Sequence, residues 1–218
     1  MCKQPLIILT GPTAVGKTSL SIKLAKKIGA QIISADSMQV YRHMDIGTAK
    51  ITASEMQGVK HYLIDEIEPT EEFNVTIFKE KALNAIEQIR NEGCIPMIVG
   101  GTGFYIQALL YDIEFEDNDA DTSYRQELYQ LEKEKGAMYL YEMLKDVDPK
   151  SAESIHYRNV KRVVRALEYY KQTGSRISEH NEEQRKKDSP YNYKYFVLND
   201  IRDNLYERIN KRVDIMFD

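Results

Sequence analysis

The sequence predicts an α/β protein: a parallel sheet flanked by helices and interrupted by an all-helical insertion. Three observations carry that expectation. Short apolar runs alternate with amphipathic segments from residue 6 to about residue 111, the pattern of strands joined by crossover helices. The first run, in Leu6–Thr18 (LIILTGPTAVGKT), passes into a glycine-punctuated turn and then a helix. From Thr122 to Thr173 every pattern is helical, and a strand pattern returns only at Tyr193–Leu198.

Leu6–Thr10 reads as a strand with apolar residues on both faces, as a central parallel strand requires. The following helix carries Leu20, Leu24, Ala25 and Ile28 at helical spacing, and Gly29 stops it. Gln31–Ser34 is a second short strand, and His61–Ile64 reads as a third. Between them lie two polar, turn-rich stretches, Ala35–Tyr41 and Asp45–Lys50. Thr76–Asn91 is an amphipathic helix with Phe78, Ala82, Ala85, Ile86 and Ile89 on one side, ended by Gly93. Ile95–Val99 is an all-apolar strand that runs into Gly100-Gly101-Thr102-Gly103 and a helix with Ile106, Leu109 and Leu110.

Glu114–Asp121 is acidic and reads as a linker. Tyr124, Leu128 and Leu131 mark one insertion helix, and Tyr139, Leu140, Met143 and Leu144 a second. Asn159 is placed to N-cap a third, with Val160, Val163, Val164, Leu167 and Tyr170 on its apolar side. Residues 179–190 are strongly charged and read as exposed, and the last helix, from about Arg202, carries Leu205, Ile209, Val213 and Met216. The expected organisation is an α/β core from residues 1–111 and 191–218, with a helical insertion at 112–190.

A length of 218 residues fits one domain with a sizeable insertion. With 30 basic and 34 acidic side chains the net charge is −4, which argues against an indiscriminate nucleic-acid binder but leaves a local basic patch open. Cys2 and Cys94 are the two cysteines, so neither a disulfide framework nor a metal site is expected, and a reducing cytoplasm fits. No run is long enough for a membrane span, so no membrane is expected.

The chemistry concentrates at the first turn. Gly11-x-x-x-x-Gly16-Lys17-Thr18 fits a P-loop, with the strand before it and the helix after it that the motif requires. Backbone N–H groups and a positive helix end hold phosphate oxygens there; Lys17 adds charge, and Thr18 offers a hydroxyl to Mg²⁺. Alone, such a loop reads as an ATP seat in a P-loop NTPase-like fold, and it reports phosphate binding rather than reaction type. Asp36 follows the second strand, where its carboxylate is either a general base or water-mediated Mg²⁺ holder, or simply a turn residue. Asp65-Glu66 reads either as a short Walker B end or as a surface turn. Arg158, Arg162 and Arg165, with Lys161 beside them, share one helix face, either tracking a nucleic-acid backbone or merely solvated. Arg208 and Arg212 share a face of the last helix, where an arginine near a P-loop can stabilise a leaving pyrophosphate. His43, His61, His156 and His180 show no metal-ligand spacing.

Taken together, several stretches resemble the tRNA dimethylallyltransferase family, also called IPP transferases. They are GPTAVGKT at Gly11–Thr18, ISADSMQVY at Ile33–Tyr41, MDIGTAK at Met44–Lys50, IVGGT at Ile98–Thr102 with Tyr105, RVVRALE at Arg162–Glu168 and LYERINKRV at Leu205–Val213. The resemblance spans essentially the whole chain. It implies transfer of a dimethylallyl group from dimethylallyl diphosphate to N6 of the adenosine 3′ of the anticodon. On that resemblance Gly11, Pro12, Thr13, Ala14, Val15, Gly16, Lys17 and Thr18 bind the diphosphate, with Mg²⁺ on Thr18. Asp36 is the general base, and Ser37, Met38 and Gln39 line the pocket for the target base. Thr102, Arg125 and the segment Lys161, Arg162, Val163, Val164 and Arg165 contact tRNA, and Arg212 acts on the diphosphate.

The partners so implied are the tRNA anticodon stem-loop and dimethylallyl diphosphate, bound by a monomer in the cytoplasm. The family continues past the position of Asp218 with further helices, so the resemblance makes this a C-terminally shortened form that keeps part of its substrate binding. Other readings stay open at this level: a prenyltransferase acting on free adenine nucleotides, a P-loop kinase or NTPase using Asp65-Glu66, and a non-catalytic binder.

Overall fold

The structure, a computed structural model, describes residues 3–113 and 122–217. Cys2 and the acidic Glu114–Asp121 stretch lie outside the described residues. In chain order the elements are β1 (Gln4–Thr10), α1 (Lys17–Ile28), β2 (Ala30–Ser34), α2 (Ala53–Met56), β3 (His61–Tyr62), α3 (Val75–Asn91), β4 (Ile95–Gly100) and α4 (Gly103–Leu110). They continue with α5 (Thr122–Lys135), α6 (Ala137–Val147), α7 (Pro149–Ser154), α8 (Val160–Thr173), α9 (Ile177–Lys186), β5 (Tyr191–Val197) and α10 (Arg202–Phe217). The chain divides into two compact units, Met1–Ile113 with Ser189–Asp218, and Glu114–Asp188.

In the first unit the strands form one sheet in the order β3-β2-β4-β1-β5. All four pairings are parallel. Register alternates the side chains between two cores, as the two-residue strand period dictates. Leu6, Ile8, Ile33 and Ile98 face Phe78, Ala82, Ile86 and Ile89 of α3 and Ile106 and Leu109 of α4. Ile7, Ile32, Met97 and Val99 face Ile22 and Ala25 of α1. Both faces are covered, which is why β1 and β4 read as unbroken apolar runs. Because all strands are parallel, β1, β2 and β4 end at one edge of the sheet. The P-loop, Asp36 and Thr102 follow those ends, where ligands sit in open α/β sheets.

Two glycines make that edge possible. Gly11 has φ of +150°, and a Cβ there would run into the Leu198 carbonyl. A Cβ on Gly100 would overlap the Ala35 backbone, so β4 passes β2 at backbone contact distance only because the residue is glycine.

Local surprises have local causes. The third strand stops at Tyr62 rather than Ile64, because Leu63 and Asp65 have φ of 61° and 54°, outside any strand geometry. Thr52 opens the short α2 through a full capping box with Glu55.

The second unit packs around Leu128, Leu140, Leu144, Ala152, Val163, Val164 and Leu167. It contains two helices the apolar pattern does not announce. Asp148 caps the N-terminus of α7 through Ser151 N at 3.0 Å. Its carboxylate also accepts from Ser151 Oγ at 2.6 Å, Ser178 N at 3.0 Å and Ser178 Oγ at 2.7 Å. One buried carboxylate thus ties the start of α7 to the start of α9. Burial opposes its charge, but these hydrogen bonds outweigh burial and lower its pKa. Residues 179–190, expected to be exposed, are so at Glu179, Asn181, Glu183, Lys186, Asp188 and Pro190; they include most of α9, and Gln184 and Ser189 are buried. Asn159 does precede α8, but its side chain makes no capping hydrogen bond.

Candidate active site

A cleft of about 970 Å³ opens at the carboxyl edge of the sheet in the first unit. One wall is the P-loop and the start of α1, Thr13 to Ser19. Asp36, Met38 and Gln39 form the floor beyond β2, and His43 to Thr48 form a second wall. Gly101 comes from the end of β4, and Ile209, Arg212, Val213 and Met216 of α10 form the remaining side.

The P-loop is closed by its own lysine. Lys17 Nζ curls back to donate to Gly11 O and Pro12 O, both at 2.8 Å. Burial lowers the Lys17 pKa; the neighbouring Asp36 charge opposes that shift and Arg212 adds to it. Lys17 therefore lies within electrostatic reach of both Asp36 and Arg212. Thr18 is exposed at the N-terminal turn of α1, on the cleft.

Asp36 is both a turn residue and a site residue. Its Oδ1 accepts from Met38 N at 2.9 Å and Gln39 N at 3.3 Å, which fixes the carboxylate plane. Oδ2 has no hydrogen-bond partner among the described residues. Burial raises the pKa of nearby Tyr105, and the charges of Tyr41 and Asp36 add to it.

Arg212 reaches the loop opposite. Its Nη2 donates to Thr48 O at 3.4 Å and Ala49 O at 3.2 Å. Gln39 Nε2 donates to the same two carbonyls, both at 3.3 Å. A single pair of carbonyls therefore orients one side chain from beyond β2 and one from α10.

Most of the expected residues of the first unit meet at this cleft. Gly11 and Pro12 contribute through the carbonyls that hold Lys17, and Thr13, Ala14, Val15, Gly16, Lys17 and Thr18 line the cleft. Ser37 is half-buried beside Asp36, off the lining. Thr102 is half-buried at the start of α4, its N–H bonded to Ala35 O at 3.2 Å. Arg208 does not line the cleft and instead pairs with Asp200 at 2.6 Å.

The Walker B reading of Asp65-Glu66 is overturned. Asp65 Oδ1 accepts from Lys50 at 2.5 Å, and Glu66 accepts from Leu63 N at 2.6 Å and Lys81 at 3.0 Å. Neither residue lines the cleft.

The second unit holds the remaining expected residues. Arg125 makes a bidentate pair with the buried Glu168, at 3.0 and 2.9 Å. Lys161, Arg162 and Arg165 are exposed along α8. Val163 and Val164 are not surface residues: at 0% and 1% exposure they belong to the helical core, so their side chains are corrected out of any RNA surface. Arg158 lies in the turn before α8, over the Tyr157 ring at 5.6 Å, rather than on the helix face.

What residue-type reasoning missed is the wall His43–Thr48 and the apolar side of α10. The stretch carries ordinary turn residues, and its chemistry lies in backbone carbonyls that no side-chain pattern reveals. Among the described residues no group of three or more His, Cys, Asp or Glu could hold a metal. No described helix is long and apolar enough to cross a membrane.

A family profile described as IPP transferase matches residues 39–218. A tRNA dimethylallyltransferase of Lachnoclostridium phytofermentans is 64% identical over 215 residues, covering 99% of this chain and 69% of that protein. The solved structure of a tRNA delta(2)-isopentenylpyrophosphate transferase from Staphylococcus epidermidis is 45% identical with a TM-score of 0.63, and the match covers 99% of this chain and 70% of that one. A structure of a eukaryotic dimethylallyltransferase acting on tRNA is 32% identical with a TM-score of 0.82, covering 98% of this chain and 53% of that one.

Proposed function

Because the chain belongs to the IPP transferase family, the tRNA dimethylallyltransferases, we propose that its cleft seats dimethylallyl diphosphate against a tRNA base. The protein is an enzyme that transfers a dimethylallyl group to a tRNA adenosine. The finer reading is that the acceptor is N6 of the adenosine 3′ of the anticodon and that diphosphate leaves. The observation that carries it is the meeting of the P-loop, Asp36 and Arg212 around one cleft.

In this reading the diphosphate lies on the P-loop. Its C1–O bond breaks and the electron pair stays with the leaving diphosphate. The P-loop N–H groups, Lys17 and Arg212 stabilise the charge that grows there. N6 forms the new bond to C1, and its proton passes to Asp36, whose Oδ2 is available to take it. Met38 and Gln39 flank the incoming base on the cleft floor.

Mg²⁺ fits this site as an ion carried by the diphosphate. The exposed Thr18 hydroxyl is a suitable oxygen ligand, and no carboxylate cluster is needed for an ion whose other ligands are phosphate oxygens and water. Bound there, it would neutralise charge on the diphosphate oxygens.

Lys161, Arg162 and Arg165 on α8 offer the tRNA backbone a row of cations, with Arg125 and Thr102 as further contacts. The target adenosine must leave its stack, at a cost of roughly a few kcal/mol that backbone contacts offset. With tRNA as substrate, the reaction belongs in the cytoplasm.

The test uses labelled dimethylallyl diphosphate, Mg²⁺ and, in separate tubes, unmodified tRNA, AMP or ATP. Label on tRNA alone is expected. Label on AMP, or ATP hydrolysis without prenyl transfer, would overturn the reading.

A further inference from the structure

The cleft wall His43–Thr48 has no helix or strand to hold it. Short internal bonds shape it: Thr48 Oγ1 to Met44 O at 2.5 Å, Ala49 N to Ile46 O at 2.8 Å and Lys50 N to Asp45 O at 3.0 Å. None of these ties the loop to the rest of the unit. Gln39 and Arg212 reach its last carbonyls and His43 lies 4.0 Å from Glu68, and a further tie comes from a buried side chain outside the cleft.

Lys50 follows the loop, and its side chain is 4% exposed. Its ammonium donates to Tyr41 O at 2.7 Å, Asp45 Oδ1 at 2.6 Å and Asp65 Oδ1 at 2.5 Å. An ammonium has three protons to give, and all three are placed. The acceptors come from the start of the loop, its middle, and the segment after β3. A buried ammonium that lost these partners would carry a large desolvation penalty, so the loop is held where all three converge. Burial opposes the charge, but the hydrogen bonds and charges of Asp45 and Asp65 outweigh it and raise the Lys50 pKa.

The consequence reaches the cleft through the backbone. Thr48 O and Ala49 O, just before Lys50, are the carbonyls that receive Arg212 and Gln39. We propose that Lys50 is a positioning residue: it locks the Tyr41–Ala49 loop, and the locked carbonyls aim the Arg212 guanidinium at the diphosphate. The proposal rests on the diphosphate reading of the cleft. Lys50 does not line the cleft. Asp65, read from sequence as either a short Walker B end or a surface turn, becomes one arm of this lock.

The test is a double-mutant cycle on inorganic pyrophosphate binding with Mg²⁺, measured by titration calorimetry on the full chain. Lys50→Met is expected to weaken binding about tenfold, the scale of one charge-assisted hydrogen bond. In an Arg212→Met background the same change is expected to shift affinity by less than about twofold, because the residue acted through Arg212. A merely structural lysine would give losses that add. Unchanged binding in Lys50→Met, or additive losses, would overturn the proposal while leaving the diphosphate site standing. Wild-type chain that binds no pyrophosphate would overturn the site reading and the lock together. Should circular dichroism show Lys50→Met unfolded, Asp65→Asn decides in the same cycle: weaker binding masked by Arg212→Met supports the lock, and an additive or absent effect overturns it.

Discussion

In the proposed mechanism Asp36 serves structure and chemistry at once. One carboxylate oxygen closes a turn through Met38 N and Gln39 N, and the other is the one proposed to accept the proton. An amide keeps the turn, because its carbonyl oxygen accepts the same two N–H bonds, but cannot act as a base. Asp36→Asn is therefore expected to lower single-turnover transfer by about 10²–10⁴-fold while tRNA affinity stays unchanged. Near-normal turnover would remove Asp36 from the proton step. His61 gives a pH signature instead. Burial lowers its pKa below the ordinary 6.5, although its Nδ1 lies 2.8 Å from Val59 O. The unfolded chain then binds a proton near that pH more readily than the folded one, so stability rises with pH through the window. Stability is full above about pH 6.5, falls as pH drops through that value, and levels off below the depressed folded value. His61→Gln is expected to flatten that fall in denaturant melts compared at several pH values.

At the scale of elements, α3 and α4 carry the sheet. Phe78 of α3 is fully buried and stacks on Tyr105 of α4 at 4.6 Å, the same tyrosine that senses the Asp36 charge. Phe78→Ala is expected to cost about 3–5 kcal/mol in chemical denaturation. On α8 the expected effect is on binding rather than stability. Arg162→Ala with Arg165→Ala should reduce the slope of log affinity against log salt by about one unit per lost phosphate contact. An unchanged slope would assign that face to solvent. The elements legible in the sequence were those whose residues announce themselves locally. Leu6–Thr10 and Ile95–Val99 are unbroken apolar runs, and Phe78 to Ile89 repeat at helical spacing. The helix α9 was not legible, because Ile177–Lys186 lacks an apolar stripe and is anchored through Ser178 to Asp148, 30 residues away. The helix α7 did leave a signal in Asp148-Pro149, a capping residue followed by a proline at the first helical position. The Lys50 lock left none, since its partners meet only after the loop has folded.

At the scale of the molecule, the P-loop changes meaning with its company. In isolation it holds a phosphate group and says nothing of which bond breaks. In this fold the loop, Asp36 and the Arg212 helix converge on one cleft, and Asp65 and Glu66 are engaged elsewhere. The second unit brings Lys161, Arg162 and Arg165 as a solvent-facing row on a helix whose other side is core. On the proposed reading, the same electrostatic device that serves nucleotide chemistry is a seat for a leaving group, and carbon rather than phosphorus is attacked. The most direct test is to supply dimethylallyl diphosphate with heavy oxygen at the C1–O bridge, together with unmodified tRNA and Mg²⁺, and to follow the heavy atom. The expected result is heavy oxygen wholly in the released pyrophosphate, in one-to-one amount with N6-dimethylallyladenosine in the tRNA. Heavy oxygen retained on a dimethylallyl alcohol or monophosphate, with unmodified tRNA, would mean that phosphorus was attacked and would contradict the account.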